Sequence, residues 1–269
     1  HFRIISSAAV RTHDKAHILK HLSKDVEFKD VTDDLICLGI FGPKSRELLS
    51  KITNENLSNE KFKFGTSKNI NIGSSKVWTQ RLSYVGELGY ELYINKDNGK
   101  EIYDLIVETG KNFGLTHCGA HTMDTMRMES GFLHWGHDIS PEENQYEAGL
   151  NFTISYKKPF NFIGKEKLLA LKNQKLNRRF VMLILKDSTP GQPLLLHEEP
   201  IYLENEIIGK TTSGNYSFNY DKNLSFGYIN SELTNEELLN RDLYIEIEKK
   251  KYEAQILLKP LKQVSFKDI

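Results

Sequence analysis

The sequence predicts an α+β domain followed by a small all-β domain of barrel or sandwich type, divided near residue 175. Three observations carry that expectation. Up to Leu171, helical and strand-like patterns alternate irregularly, unlike the regular repeat of a doubly wound sheet. From Arg178 onward nearly every segment is a short β-rich run between turn residues. At KNQKLNR (172–178) one pattern gives way to the other. The expected domains are residues 1–174 and 175–269.

Residues 2–9 are β-rich and read as a buried strand, and RTHDKAHILKHLSK (11–24) follows as a helix with Ile18, Leu19 and Leu22 inward. DDLICLGIFGP (33–43) is a strand closed by Gly42-Pro43, and Pro43 suits the first turn of a helix over PKSRELLSKIT (43–53). SKVWTQRLSYV (75–85) and GYELYI (89–94) read as two strands joined by a Gly-Glu-Leu-Gly turn. Residues 97–113 have Ile102, Leu105 and Ile106 at helical spacing, with Asp97 or Asn98 as the cap. A helix over AHTMDTMRMES (120–130) stops at Gly131. In the second domain the strands are RRFVMLILKD (178–187), EPIYLENEIIGKTTSG (199–214), LSFGYIN (224–230), and a hairpin of DLYIEIE and KYEAQILL.

The bulk numbers exclude several classes of partner. Lys plus Arg and Asp plus Glu are 36 each, so net charge predicts neither nucleic-acid nor anionic-membrane binding. No apolar run reaches the roughly 20 residues of a membrane span. Cys37 and Cys118 make no disulfide framework in a chain this long, which points to a reducing compartment. His1 begins within a strand pattern, and no signal peptide precedes it, so the chain reads as a fragment that starts partway through a domain.

Short motifs remove further classes. GxGxxG, GxxxxGK, GxSxG, HExxH and paired CxxC are all absent. His13, His17 and His21 share one helix face, but imidazoles on three consecutive turns do not converge on one ion without another segment. They read as a solvated face, and His117, Cys118 and His121 are treated alike. His134, His137 and Asp138 lie in a loop beside Trp135, where a structural role is expected.

SYVGELGYELY (83–93) remains. Strand alternation sets Tyr90 and Leu92 on one face and Glu91 and Tyr93 on the other, and would place Tyr84 on the side of Glu91 and Tyr93. Two phenols supply flat walls with polar tips. A carboxylate accepts only, and suits a ring that displays adjacent N–H donors, such as an aminopyrimidine. A surface hairpin with cross-strand aromatic pairs accounts for the same residues.

SYVGELGYELY is similar to the hallmark segment of the aminomethyltransferase family, folate-binding proteins related to the glycine-cleavage T-protein. MRMESGFLHWGHDISPEENQYEAGLNF with FIGKEKL, and IIGKTTSGNYSF with the late KPL, resemble further motifs of that family in the same order. The likeness spans essentially the whole chain. It implies an aminomethyltransferase-like folate-binding domain, lacking its N-terminal part, followed by a C-terminal β-barrel. Within the family, Phe218 after Ser217 and Met123 before Asp124 resemble the branch formed by the C-terminal halves of dimethylglycine and sarcosine dehydrogenases.

The resemblance implies tetrahydrofolate as cofactor, with FAD confined to a flavin oxidase half in cis that the chain does not contain. That half would oxidise an N-methyl amine, and the one-carbon unit would pass to tetrahydrofolate. Tyr84, Glu91, Leu92 and Tyr93 resemble the family's folate contacts, with Glu91 favoured over Glu87 as the contacting acid. Phe152 stands where relatives often carry tyrosine, and Arg127 matches the family's helix arginine, with an ion pair to Glu129 or Glu147 as its alternative role. The family's catalytic aspartate is expected upstream of His1; Asp14, Asp33 and Asp34 do not match it. A stand-alone transferase or demethylase, and a binding module without turnover, are the competing readings. The Lys-Gly-Cys-Tyr-x-Gly-Gln-Glu signature of relatives in iron–sulfur cluster assembly is absent. Bacterial relatives imply a cytoplasmic location and animal ones the mitochondrial matrix.

Overall fold

A computed structural model describes residues 2–265, which divide into two compact units. The first comprises residues 2–83 and 87–116, the second 84–86 and 117–265. Residue 175 lies inside the second unit, because the segment from His117 onward packs with the barrel.

In the first unit, α1 (Arg11–His21) precedes β1 (Leu35–Phe41) and the short α2 (Ser45–Leu49). Then come β2 (Ser67–Ile72), β3 (Ser75–Gln80), β4 (Gly89–Asn95) and α3 (Gly99–Gly110). The strands form an antiparallel sheet in the order β1-β4-β3-β2. Strict alternation gives the sheet two different faces. One carries Ile40, Ile70, Ile72, Val77, Tyr90, Leu92 and Ile94 into a core closed by Leu48 and Leu49 of α2 and by Ile102 and Ile106 of α3. Each such aliphatic side chain contributes about 1.5–3 kcal/mol when fully buried.

The other face carries two cross-strand rows. Cys37, Tyr93, Trp78 and Asn69 are register partners in one, and Gly39, Glu91, Gln80 and Ser67 in the other. β2 was not expected from the sequence, although Asn69-Ile70-Asn71-Ile72 alternates and Gly73-Ser74 makes a two-residue connection to β3.

Several sequence expectations need correction here. Residues 2–7 form no strand: Phe2 is fully exposed and Ile4 is 69% exposed, with no sheet edge paired to them. α1 forms as expected but fully buries none of its residues: Ile18 and the C-cap Leu22 are half-buried, and Leu19 is exposed, so the expected inner face is only partly covered. Pro43 stands before the N-cap Lys44 of α2, not within its first turn. Asn98 makes no side-chain cap for α3; instead Asn95 accepts from the Asp97 N–H at 3.0 Å in the preceding turn.

In the second unit, α4 (Ala120–Glu129) ends as the sequence indicates. Gly131 takes φ +74° and the Phe132 N–H reaches back to the Arg127 carbonyl at 2.8 Å, a Schellman closure. After α5 (Lys165–Leu171) come β5 (Arg178–Leu185), β6 (Pro200–Leu203), β7 (Glu206–Ser217) and β8 (Lys222–Asn230). α6 (Asn235–Leu238), β9 (Leu243–Ile247) and β10 (Lys250–Leu257) complete the chain order. The six strands close into a barrel, β10-β5-β8-β7-β6-β9, so the barrel alternative holds and no edge strand is left open. Its interior is aliphatic, with Val181, Leu183, Leu185, Ile201, Ile245 and Ile256 all buried. β7 crosses β8 so closely that a Cβ at Gly209 would meet the Tyr228 carbonyl oxygen at 1.9 Å, which leaves room only for glycine.

Candidate functional site

The open face of the sheet in the first unit assembles the chemistry the sequence singled out. On β4, residues 91 and 93 point away from the core, and Leu92 between them is fully buried within it. Leu92 therefore holds the strand in place and presents no side chain to the open face. Tyr93 donates its phenol proton to Glu91 Oε2 at 2.7 Å and accepts from Gln80 Nε2 at 3.2 Å. Burial, and then the hydrogen bond to Glu91, push the Tyr93 phenol well above its ordinary pKa, so it stays a donor. Trp78 packs against the Tyr93 ring at a centroid distance of 4.8 Å, tilted by 47°. The Arg3 guanidinium lies 4.2 Å from the centre of the Trp78 ring.

Cys37 completes the row beside Tyr93; burial, followed by the Glu91 charge, raises its thiol pKa. A cavity of about 600 Å³ opens along this face, lined by Trp78, Gln80, Asn69 and Ser67 together with Phe2, Arg3 and Ile5. The arrangement offers a fixed carboxylate beside a tilted aromatic pair. It suits a flat ring that donates N–H groups along one edge.

Tyr84 departs from the expected geometry. β3 stops at Gln80, so Tyr84 is in a loop, and residues 84–86 belong to the second unit. Strand alternation therefore does not place it beside Glu91 and Tyr93. Local contacts override the β-propensity of this segment. The Tyr84 hydroxyl donates to the Leu133 carbonyl at 3.0 Å, its ring stacks on Phe132, and a Cβ at Gly86 would collide with Ser130 Oγ at 2.1 Å. Burial pushes the Tyr84 phenol up to about 12.

Arg127 is 1% exposed, and its partners are neither Glu129 nor Glu147. Its Nε donates to Asp124 at 2.7 Å, Nη1 to Asp138 Oδ2 at 2.5 Å and to the Phe132 carbonyl at 3.1 Å, and Nη2 to Ser213 Oγ at 2.8 Å. Glu129 instead accepts from Ser217 Oγ at 2.6 Å and Asn219 Nδ2 at 2.8 Å. Glu147 and Glu143 both bind Arg178. The Gly-x-Asp loop is thus a structural anchor through Asp138, the kind of role expected for it, with partners that spacing alone does not reveal because Ser213 and Thr212 arrive from β7.

Phe152 is 78% exposed on a 3-10 turn, and Phe218 is exposed as well. His134 and His137 approach each other at a ring distance of 4.6 Å. Burial, then the neighbouring His137, lowers the His134 pKa. His13, His17 and His21 are exposed on α1. A second cavity of about 650 Å³, within the second unit, is lined by charges already paired with one another, Arg178 with Glu143 and Lys210 with Glu198. Gln80, Trp78 and Cys37 were missed in the sequence. The signal was present in the shared parity of Trp78 and Gln80, but their meeting with Glu91 needs the register of three strands.

Comparison with known proteins agrees with this architecture. The family model "GCVT N-terminal domain" matches residues 1–158, and "Glycine cleavage T-protein C-terminal barrel domain" matches residues 178–262. Human mitochondrial dimethylglycine dehydrogenase is 35% identical over 265 residues, covering 97% of this chain and 30% of that protein. The chain thus spans under a third of that relative's length. An aminomethyltransferase from Geobacillus sp. (strain WCH70) is 30% identical over 260 residues, covering 97% of this chain and 69% of the relative. The crystal structure of aminomethyltransferase T of the glycine cleavage system from Bartonella henselae superposes with a TM-score of 0.78 at 18% identity. That superposition covers 96% of this chain and 67% of the other, and it supports the fold.

Proposed function

We propose, from the premise that this chain belongs to the GCVT family, with the family's N-terminal domain and C-terminal barrel in order, that it binds tetrahydrofolate and acts in one-carbon transfer. The observation that carries the reading is the Glu91 carboxylate, held by Tyr93 on an open aromatic face with Oε1 accepting nothing from the described residues. Folate's aminopyrimidine edge supplies the N–H donors that such a carboxylate accepts, and Trp78 and Tyr93 supply apolar walls.

The fuller reading is a transferase part of a dimethylglycine- or sarcosine-type dehydrogenase. A flavin half in cis, carrying FAD, would oxidise the N-methyl amine to an iminium. The methylene carbon would then pass to tetrahydrofolate, and the amine would leave with the two N–H protons it displaces. The role of this chain is to hold and orient the folate ring. No residue described here is assigned the proton transfer. The length of the human relative supports a larger parent enzyme, located in the mitochondrial matrix or, in a bacterium, the cytoplasm. The Geobacillus relative, of which this chain covers 69%, supports the second reading, a stand-alone aminomethyltransferase.

Titration with tetrahydrofolate tests the shared core of both readings. Glu91→Ala is expected to weaken binding by roughly ten-fold or more, the loss of a charge-assisted hydrogen bond. Equal, weak binding by both proteins would remove the assignment. The chain alone is expected not to oxidise dimethylglycine; flavin-dependent oxidation by it would contradict the division of labour.

A further inference from the structure

Gln80 stands directly opposite Glu91 in the β3–β4 register, yet its amide reaches diagonally to the Tyr93 hydroxyl. A phenol has one proton to give and lone pairs to receive with. Gln80 Nε2 donates into that oxygen at 3.2 Å, and the single proton goes to Glu91 Oε2 at 2.7 Å. The reverse amide orientation would set two acceptors, Gln80 and Glu91, against one phenol proton. Only the donor orientation satisfies all three groups. Cys37, the Tyr93 partner on β1, is the other group within hydrogen-bonding reach of the phenol.

We infer that Gln80 is a positioning residue for Glu91, acting through Tyr93, and that this relay fixes which carboxylate oxygen meets the folate ring. The inference rests on the reading of Glu91 as the ring-binding acid. With Oε2 fastened to Tyr93, Oε1 is the oxygen presented to the ligand. A glutamate side chain has three rotatable bonds, and binding otherwise bears the entropy of stopping them. On the exposed face of a sheet no packing does this work, so the relay does. Trp78 fixes the other side of the Tyr93 ring, which leaves the phenol little freedom except rotation of its proton.

The test uses the full chain and tetrahydrofolate, with affinity measured by calorimetry between pH 5 and pH 8 for wild type, Glu91→Gln, Tyr93→Phe, Gln80→Leu and Gln80→Glu. Tyr93→Phe and Gln80→Leu are expected to weaken binding about three- to ten-fold, the loss of one neutral hydrogen bond. In Gln80→Glu the introduced carboxylate draws the phenol proton from Glu91 and adds like charge opposite it. Its affinity relative to wild type is therefore lowest at pH 8 and recovers toward pH 5, as a carboxyl of ordinary pKa about 4.3 begins to regain a donor proton. A purely structural role for Gln80 would not produce that pH-dependent ratio.

Gln80→Glu preserves the side-chain shape, which keeps the test available if Gln80→Leu does not fold. A second readout is the alkylation rate of Cys37 in a Cys118→Ser background, expected to be slowed by tetrahydrofolate in wild type and less protected in Gln80→Glu at pH 8. If Glu91→Gln binds like wild type, the folate reading of Glu91 fails and the relay falls with it. If Glu91→Gln weakens binding while both Gln80 variants match wild type at every pH, the relay is overturned and the folate reading stands.

Discussion

Asp138 in the second unit and Glu91 in the first are both carboxylates held by hydrogen bonds from their own unit, and they differ in how fully they are satisfied. Asp138 is 1% exposed and accepts four bonds, from Arg127, the His134 backbone N–H, Thr212 and Ser213. Glu91 is half-buried and accepts one, from Tyr93. A buried acid must be saturated by its own chain, because the desolvation penalty has to be offset in the free protein. An acid on an open face can leave an oxygen for a ligand. Resemblance assigned folate contact to Arg127 as well as Glu91; the count of satisfied hydrogen bonds separates them, and supports Arg127 as a structural clamp.

The largest effect that would break this comparison is at Arg127. Arg127→Met strands Asp138 without its cation and should cost about 3–5 kcal/mol in urea unfolding. Arg127→Lys should not restore stability, since one ammonium cannot reach Asp124, Asp138, Ser213 and the Phe132 carbonyl together. A loss below about 1 kcal/mol, the range of exposed ion pairs, would mean the cluster is not the clamp its geometry indicates.

Neighbours on β4 sharpen the contrast within one strand. Leu92→Ala removes a side chain with no exposure and is expected to cost about 2–5 kcal/mol, without a specific effect on ligand recognition in the fraction that remains folded. Glu91→Ala removes the acceptor of the Tyr93 phenol and should cost about 0.5–1.5 kcal/mol, less than Leu92→Ala, while weakening tetrahydrofolate binding. Urea unfolding and ligand titration on the same two variants check both halves.

Much of this is legible in the sequence, for definable reasons. The alternation of GYELYI placed Glu91 and Tyr93 together and Leu92 inward, because a strand has a fixed period of two. Gly131 marked the end of α4 because the left-handed conformation there favours glycine. Tyr84 escapes the alternation because the chain leaves the sheet after Gln80, and contacts with Ser130 and Leu133 set the backbone there. The acids of Arg127 are not legible from spacing because, besides Asp124 on α4, its partners lie on the following loop and on β7, 86 positions away in the case of Ser213. Phe2, Ile4 and Ile5 had strand composition, but composition does not supply a sheet edge. The Glu248-Lys249 turn between β9 and β10 was found from its flanking strands alone, since neither residue is a usual choice for the positive φ both adopt.

Tyr84 carries a smaller, pH-dependent effect. Its folded-state pKa is pushed up to about 12 by burial, against about 10 for an unfolded tyrosine. The phenol is neutral in both states below pH 10, so its stabilising contribution is complete there. Above that pH the unfolded chain ionises first, and the contribution is lost as pH rises from about 10 to 12. Tyr84→Phe removes the bond to the Leu133 carbonyl, at about 0.5–1.5 kcal/mol near neutrality. The variant should also lose less stability than wild type between pH 10 and 12, as measured by urea unfolding at each pH. Parallel alkaline curves would show that the phenol is more hydrated than its packing against Phe132 indicates.

The smallest expected stability change is at Phe152, and it makes the cleanest separation of folding from recognition. The ring is 78% exposed, so truncation removes little buried area and Phe152→Ala should unfold within about 0.5 kcal/mol of wild type. An exposed aromatic ring with so little to contribute to its own unit is a candidate for contact with a ligand or partner surface. If the resemblance carries over at this position, tetrahydrofolate affinity falls in Phe152→Ala and is kept in Phe152→Tyr, which retains the ring and adds a hydroxyl. Equal affinity in all three proteins would withdraw Phe152 from the folate contacts and leave recognition to the Glu91 face.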